Sequence, residues 1–388
     1  MDDERYGTTL FRVLDGEPGP STVDVRRAVA DGERHHRRAR LAGATAAAAA
    51  VLVVVAASWA VARPARQDPA PVLPAATSEQ PPPRKAMACV PEQLTTPAGH
   101  GPKAVVSGGD PTGRYLVGRS YPGTGPATVI WVDRQPQLAP MPGEDGTFSD
   151  VTSTGVAVGD SFSGERTVAY AYEGGKFTRL AGTDTTASAI NEARTIAGSV
   201  GDRPALWASP TAQPTMLALP GAGWSGIATG IDEDGTVVGQ VAPKLGQEVA
   251  VLWRPDGRLE RLPAPDVRGK PANTFIATSI RDGWVTGWAA RDEPGVRYIA
   301  GPRWNLRDGT VTSLDGLFST VNRDGWMLGS TTLHAGDQTV ELPPPPGFSG
   351  RISVHAYTLS DDGRTVAGQV SGDGDVRTQP VPIVWTCG

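Results

Sequence analysis

The sequence predicts an all-β fold, a seven-bladed β-propeller ectodomain, preceded by one transmembrane helix and a short cytoplasmic tail. Three observations predict it. A unit of roughly 40 residues recurs along most of the chain, the period of a propeller blade. Each copy reads as four short β-branched runs separated by turn residues. An uncharged stretch, Leu41–Ala62, lies ahead of the first copy.

The unit is clearest in Ala228–Pro265. Its apolar runs are Ala228–Ile231, Thr236–Gly239, Val249–Trp253 and Arg258–Pro263, with turns at Asp232-Glu233-Asp234-Gly235 and Pro255-Asp256-Gly257. A glycine closing the second run recurs as Gly118, Gly159, Gly198, Gly239, Gly287, Gly329 and Gly368. A third-run aromatic recurs as Trp131, Tyr172, Trp207, Trp253, Trp304 and Trp385. One such sheet cannot bury both its faces alone, so seven copies imply a closed radial array.

Residues 1–40 are charged, with arginines crowded at their end. Polar segments of this kind are too short of apolar residues to fold alone. They read as a solvated cytoplasmic tail, possessing some helical character, or alternatively as a docking peptide for a cytosolic partner. Residues 41–62 are long enough to cross a bilayer as a helix. Arg34, Arg37, Arg38 and Arg40 precede this stretch and only Arg63 and Arg66 follow closely, which places the N-terminus in the cytoplasm. A cleaved signal peptide ending at Ala60-Val61-Ala62 is the competing reading, but both the leading region and the apolar stretch are long for one. Residues 63–88 are rich in Pro and Ala and read as an extended linker.

Residues 89–388 hold the array. The last copy stops after its third run, Val381–Trp385, and the segment Cys89–Pro97 has the composition of the missing fourth strand. The two cysteines of the chain, Cys89 and Cys387, therefore meet where the ring closes, in a compartment that permits disulfides. In the chain-entropy view such a bridge contributes roughly 4–5 kcal/mol, less any strain.

The pattern Ala228-Thr229-Gly230-Ile231, then Thr236-Val237-Val238-Gly239, then Ala250-Val251-Leu252-Trp253 resembles the HAF-type extracellular repeats of bacteria. The likeness extends over residues 98–388 as a repeat pattern and is close only in the Ala228–Pro265 copy. It implies a secreted or surface propeller and supplies no chemistry. The layout of tail, span and ectodomain is also similar to actinobacterial single-pass membrane proteins, some of which accompany sigma factors. The tail lacks the His and Cys spacing of a zinc anti-sigma domain.

No catalytic or cofactor motif stands out. Gly221-Ala222-Gly223-Trp224-Ser225-Gly226 satisfies G-x-G-x-x-G, but it leads into a strand rather than a phosphate-binding helix. The ectodomain histidines, His100, His334 and His355, lie far apart, so no metal site is expected. The acidic pairs Asp232/Asp234 and Asp361/Asp362 fall at the repeated turn and read as turn chemistry. Asp292/Glu293 is a further acidic pair. The net charge of −5 gives no reason to expect nucleic-acid binding.

Phe148, Phe318 and Tyr357 each lie 11 residues before the repeat glycine and are assigned to packing between blades. Tyr121, Phe162, Trp224, Trp288, Tyr298 and Phe348 fall outside the repeat register. They lie in the longer connections, which share one face, and are the candidate ligand-binding residues. The expected function is a non-catalytic surface propeller that binds an extracellular protein, peptide or glycan. One alternative is a sensor that signals through residues 1–40. Another is an enzyme with a channel-lining active site. Clustered Asp, Glu, His or Arg in the channel would favour the enzyme, and an aromatic or apolar patch on the loop face would favour binding.

Overall fold

Short apolar runs separated by turns build the hairpins that the sequence implies, with middle strands such as Val237–Ala242 and Val249–Trp253 buried on both faces. In the Ala228–Pro265 copy, Ser225–Ile231 pairs with Val237–Ala242, which pairs with Val249–Trp253, which pairs with Leu259–Arg261. The computed structural model describes residues 87–388 except 124, 245–246, 349–350 and 373–378. Among the described residues, 28 strands form seven four-stranded antiparallel sheets, six connected in this manner and the seventh completed by a strand from the start of the array. The tail 1–40, the apolar segment 41–62 and all but the last two residues of the 63–88 linker lie outside the described residues. No helix among the described residues is long and apolar enough to cross a membrane.

Blades are numbered by their innermost strands: Ala104–Gly109, Glu144–Val151, Thr185–Ile190, Ser225–Ile231, Thr274–Arg281, Phe318–Val321 and Ile352–Leu359. Blade 7 takes its fourth strand, Cys89–Gln93, from the start of the array, paired to Val381–Cys387 with Cys89 opposite Cys387. The two cysteines form a disulfide across a sequence separation of 298. Arg134 of blade 1 adds a second clasp by ion-pairing with Glu92 and donating to Thr386 Oγ1.

The repeat glycine lies inside the second strand rather than closing it, except in blade 6, where Gly329 ends Met327–Gly329. Its requirement is steric. Every first strand carries a register shift opposite or next to this glycine, at Ala228/Gly230 in blade 4. Such a bulge pushes the preceding carbonyl toward the partner strand. A Cβ on Gly239 would stand 2.1 Å from the Ile227 carbonyl oxygen, and the counterparts in blades 1, 2, 3, 5 and 7 are as tight.

The core sits in the seams between blades. Trp131, Trp207, Trp253, Trp304 and Trp385 are fully buried there. Each indole N–H donates to the backbone carbonyl just after the preceding blade's last strand, such as Trp253 to Ala218 at 2.7 Å and Trp385 to Pro343 at 2.7 Å. Burying the ring while satisfying its one polar group is what makes Trp suitable here. Blade 6 departs from this. His334 stands opposite Met327, the position the other blades fill with Trp or Tyr, and meets the Phe318 ring edge-on. The seam between blades 5 and 6 is correspondingly thin, built from Phe318, Val321 and Met327 with half-buried Trp284.

Ring closure predicts that reducing the disulfide, or the pair Cys89→Ala and Cys387→Ala, lowers stability by up to about 4–5 kcal/mol. Thermal unfolding with and without reductant measures this. Equal midpoints would show that the paired strands alone hold the ring.

Candidate functional site

The bulges aim one side chain per blade into the central channel. These are Ser107, Ser149, Ser188, Thr229, Thr278, Ser319 and Tyr357, all bearing a hydroxyl. Tyr357 corrects the sequence expectation. It does not pack between blades but lines the channel, 40% exposed. The reason is register: the seventh turn holds one residue more than its counterpart in blade 2, so Ala356 rather than Tyr357 pairs with the repeat glycine.

Several of these hydroxyls lock one blade to the next. Ser107 donates to the Phe148 carbonyl at 2.5 Å, Thr229 to Ala277 at 2.8 Å and Thr278 to Ser319 at 3.2 Å. Each of these carbonyls belongs to the next blade's first strand, at or next to its bulge. The hydroxyls of Ser149, Ser188 and Tyr357 make no hydrogen bond among the described residues and face a channel cavity of about 300 Å³.

At the short-turn end the channel mouth is cross-tied by charge. Glu192 accepts from the Ser153 amide at 2.8 Å and hydroxyl at 2.7 Å. Glu233 accepts from the Glu192 amide at 3.0 Å and from Arg281 Nη1 at 2.6 Å. Arg281 then reaches blade 7, binding the Asp361 carboxylate through Nε and Nη2 at 2.8–3.2 Å. The Asp361 amide donates to the Pro111 carbonyl of blade 1. Burial opposes the Arg281 charge, but Asp361 and Glu233 overcome it and raise its pKa above the ordinary value. Arg281 takes this position because the blade 5 turn is one residue shorter than that of blade 4. The Asp232 carboxylate fills the space left, accepting from the Asp282 and Gly283 amides at 2.9 and 2.8 Å.

The acidic pairs therefore split. Asp234 and Asp362 cap their own turns, as the sequence implies. Asp232 and Asp361 serve other blades. Asp292 and Glu293 form ion pairs with Arg297 and with Lys270 and Arg291.

Two carboxylates in blade 2 are held in uncommon states. Asp150, in the channel wall, accepts from the Ile190 and Val151 amides at 2.9 Å. Burial pushes its pKa up to about 7, against those amides and the attraction of Arg281, with the Glu192 charge adding to the rise. Burial likewise pushes Asp160 up to about 6, opposed by the Ala187 amide. Both bridge from blade 2 to blade 3. Sequence reading missed Asp150 because it lies outside any motif. Its signal is an acid one residue after the bulge hydroxyl, where other blades carry Gly, Ala, Ser or Thr.

The six loop-face aromatics lie at the end of the ring opposite the charged mouth, distributed over several blades. Trp224 packs against the seam of blades 3 and 4, and Phe348 against that of blades 6 and 7. Tyr121 lies beneath Lys103 and Arg119, at 4.5 and 5.2 Å. Phe162 is 47% exposed. Trp288 and Tyr298 lie on the two strands of one long hairpin of blade 5, Trp284–Glu293 and Val296–Asn305, on its opposite faces. Arg297 covers Trp288 at 5.8 Å, while Arg268 and Arg291 flank Tyr298 at 5.2 and 4.9 Å.

Beside these aromatics is an apolar surface that the sequence did not single out. Ile299 and Leu314 are 44% and 37% exposed, and Leu317 in the following connection is 55% exposed. Leu314 pairs with Gly301, which lies against Phe318 of blade 6, and Ile299 shares the face of Gly301 by strand alternation. That face is turned to blade 6, whose Met327–Gly329 and Thr332–Ala335 are too short to cover it. Among the described residues no group of His, Cys, Asp and Glu is arranged to hold a metal ion.

No family model matches the chain, and comparison with curated proteins finds no match. Solved structures similar to it include a protein of unknown function from Bacteroides thetaiotaomicron, 12% identical with a TM-score of 0.41 over 78% of this chain and 76% of that one. YCF48 bound to D1 peptide is 10% identical, TM-score 0.44, covering 77% of this chain and 94% of that one. A chain of the mitotic checkpoint complex is 11% identical, TM-score 0.47, covering 83% and 98%. The blade count and the site rest on the geometry above, not on these likenesses.

The raised acids carry a pH signature with a definite sign. A carboxyl that is harder to ionise in the folded chain favours folding when protonated, so this contribution is present at low pH. It is lost as pH rises from the ordinary carboxylate range to about 7 for Asp150. Allowing for channel water, the loss is on the order of 1–2 kcal/mol. Denaturant unfolding of the wild type and Asp150→Asn from pH 4.5 to 7.5 reads it. The wild type should lose stability relative to the variant across that range, and parallel curves would contradict the assignment.

Proposed function

We propose that this propeller is a non-catalytic binding module whose loop face engages a protein, peptide or glycan at the cell envelope. The observation that carries this reading is the blade 5 surface, where Trp288, Ile299, Leu314 and Leu317 stand partly exposed beside short blade 6. Contiguous apolar surface rimmed by charge marks interaction sites on soluble domains. Tyr121, Phe162, Tyr298, Trp224 and Phe348 extend the same face around the ring. The HAF-type repeat pattern agrees with an extracytoplasmic location, as does the disulfide. Residues 41–62 would anchor the chain with residues 1–40 in the cytoplasm.

The enzyme reading has one observation in its favour, the channel cluster of Asp150, Glu192, Glu233, Arg281 and Asp361. Two facts weigh against it. Arg281 is neutralised by two carboxylates, and both oxygens of Asp150 accept backbone amides. A catalytic acid or base needs a free position within reach of substrate. The sensor reading adds to binding a cytosolic partner of residues 1–40, and no observation of the propeller favours it.

A photo-crosslinking residue placed at Ile299 tests the binding face in intact envelopes, with the same residue at Leu138, also exposed, as reference. A defined adduct is expected at Ile299 and not at Leu138, weakened at least tenfold by Trp288→Ala. Equal or absent labelling at the two positions would remove the proposal. Location has a separate test. Phe162→Cys should react with a membrane-impermeant maleimide on intact cells, and reaction only after lysis would place the propeller inside.

A further inference from the structure

We propose that blade 5 binds its partner by strand addition: an extended peptide pairs with the open edge of Thr310–Asp315 as a fifth strand, setting an apolar residue beside Leu314 and a neighbouring Lys or Arg beside Asp315. This rests on the reading of the blade 5 surface as a binding face, and it names the partner's chemistry.

The first support is that the other outer edges are blunted and this one is not. An outer strand presents a row of unpaired N–H and C=O groups, which proteins guard with proline, charge or shortness. Cys89–Gln93 and Gln135–Leu138 each contain a proline, and Lys176–Arg179 carries a cation at both ends. Thr215–Met216 has two residues, and Leu259–Arg261 has three, ending in Glu and Arg. Gln338–Glu341 has four and ends in a carboxylate, and its Gln338 Oε1 accepts from the Met87 amide. Thr310–Asp315 has six residues, with no proline and no cation.

The ladder shows which groups this edge offers. The Pro302 carbonyl accepts from Thr286 Oγ1, and the Leu306 amide donates to the Gly283 carbonyl, so both residues turn their backbones toward the second strand. Backbone groups alternate sides along an antiparallel strand. Gly301, Arg303 and Asn305 therefore bond their register partners Leu314, Thr312 and Thr310. Val311, Ser313 and Asp315 turn their N–H and C=O groups outward, and these have no partner among the described residues. An added strand would hydrogen-bond at those three residues. Leu314 would then stand in a non-hydrogen-bonded pair, where side chains approach more closely.

Side chains along the edge specify the occupant. Leu314 shares the face turned to blade 6 with Ile299, and exposed Leu317 follows in the connection. An apolar residue opposite Leu314 extends that surface. One neighbour of that residue falls opposite Asp315, whose exposed carboxylate has no ion pair among the described residues. Opposite charges across a strand pair are favourable, so a Lys or Arg suits that position. A glycan has no row of amides to pair with such an edge. A second copy fits less well. Two-fold pairing centred on Thr312 or Ser313 puts Leu314 opposite Thr310 or Thr312 and brings Asp315 no cation, since the strand holds none.

Fluorescence anisotropy on the full chain tests this with a labelled, capped peptide, Thr-Val-Thr-Val-Lys-Thr. Saturable binding is expected, weakened at least tenfold by N-methylating the peptide's edge-facing amides. Ser313→Pro removes an outward N–H and spares the ladder, since proline is tolerated at an edge. It should weaken binding at least tenfold. Asp315→Lys, at an exposed position, is the second variant should Ser313→Pro fold poorly. It should weaken binding severalfold and reverse the preference toward a peptide with Glu in place of Lys. Absent binding, or binding indifferent to N-methylation and to both variants, would overturn the proposal. So would a dimer of the full chain that Ser313→Pro dissolves without any peptide binding, since the edge would then serve a second copy. The two readings fail separately. No Ile299 adduct in the wild type removes the binding face itself, whereas an adduct undiminished by Ser313→Pro keeps that face and removes strand addition.

Discussion

The structure depends on one contact, the closure of a first-strand carbonyl onto a second-strand glycine. In six of the seven blades no side chain fits between them. The bulge that produces this contact also breaks strand pairing for one residue. That residue turns into the channel, and its hydroxyl can reach a carbonyl of the neighbouring blade. Glycine, bulge and channel hydroxyl are thus one device. In blade 6 the device is loosened. Gly329 is less confined than its counterparts, with Thr332 Oγ1 nearest at 3.2 Å, the second and third strands shorten, and the buried indole is replaced by His334.

Much of this was legible because the repeat writes local requirements into identifiable residues. A glycine that admits a carbonyl, an indole that satisfies its own N–H and an Asp-Gly turn recur wherever the geometry does. Closure by Cys89–Gln93 was legible for a related reason, since a copy lacking one strand must borrow it. Tyr357 was misread because counting back from the glycine assumes turns of constant length. The turn of blade 7 carries one residue more than that of blade 2, and the count lands on the bulge instead of its neighbour. The hydroxyl recurring at that position in all seven blades would have located it.

The charged mouth was less legible for a different reason. Asp232 and Asp361 have the local setting of turn-capping acids, and their neighbours Asp234 and Asp362 do cap turns. Their partners Gly283 and Arg281 come from other blades, at separations of 51 and 80 residues, so local chemistry does not reveal them. Arg281 is the residue that changes the mouth. A turn one residue shorter than that of blade 4 places a guanidinium where its neighbours place Asp or Asn, and the carboxylates of blades 4 and 7 converge on it.

The two ends of the ring consequently carry unlike constraints. At the short-turn end each turn touches a turn of another blade, so a substitution at Glu233 or Asp361 disturbs Arg281 and through it two further blades. At the loop end the connections contact mainly their own blade or the adjoining seam, and length can vary there at small cost. Blade 5 uses that freedom for a long hairpin, and blade 6 for shortened strands. The exposed face of Ile299 and Leu314 arises from the pair, since a long blade beside a short one leaves surface that neither covers. The seam between these blades is also the one with the fewest large buried side chains. A partner seated on that face would supply the packing that blade 6 omits, so recognition and local stability would be coupled at the same seam.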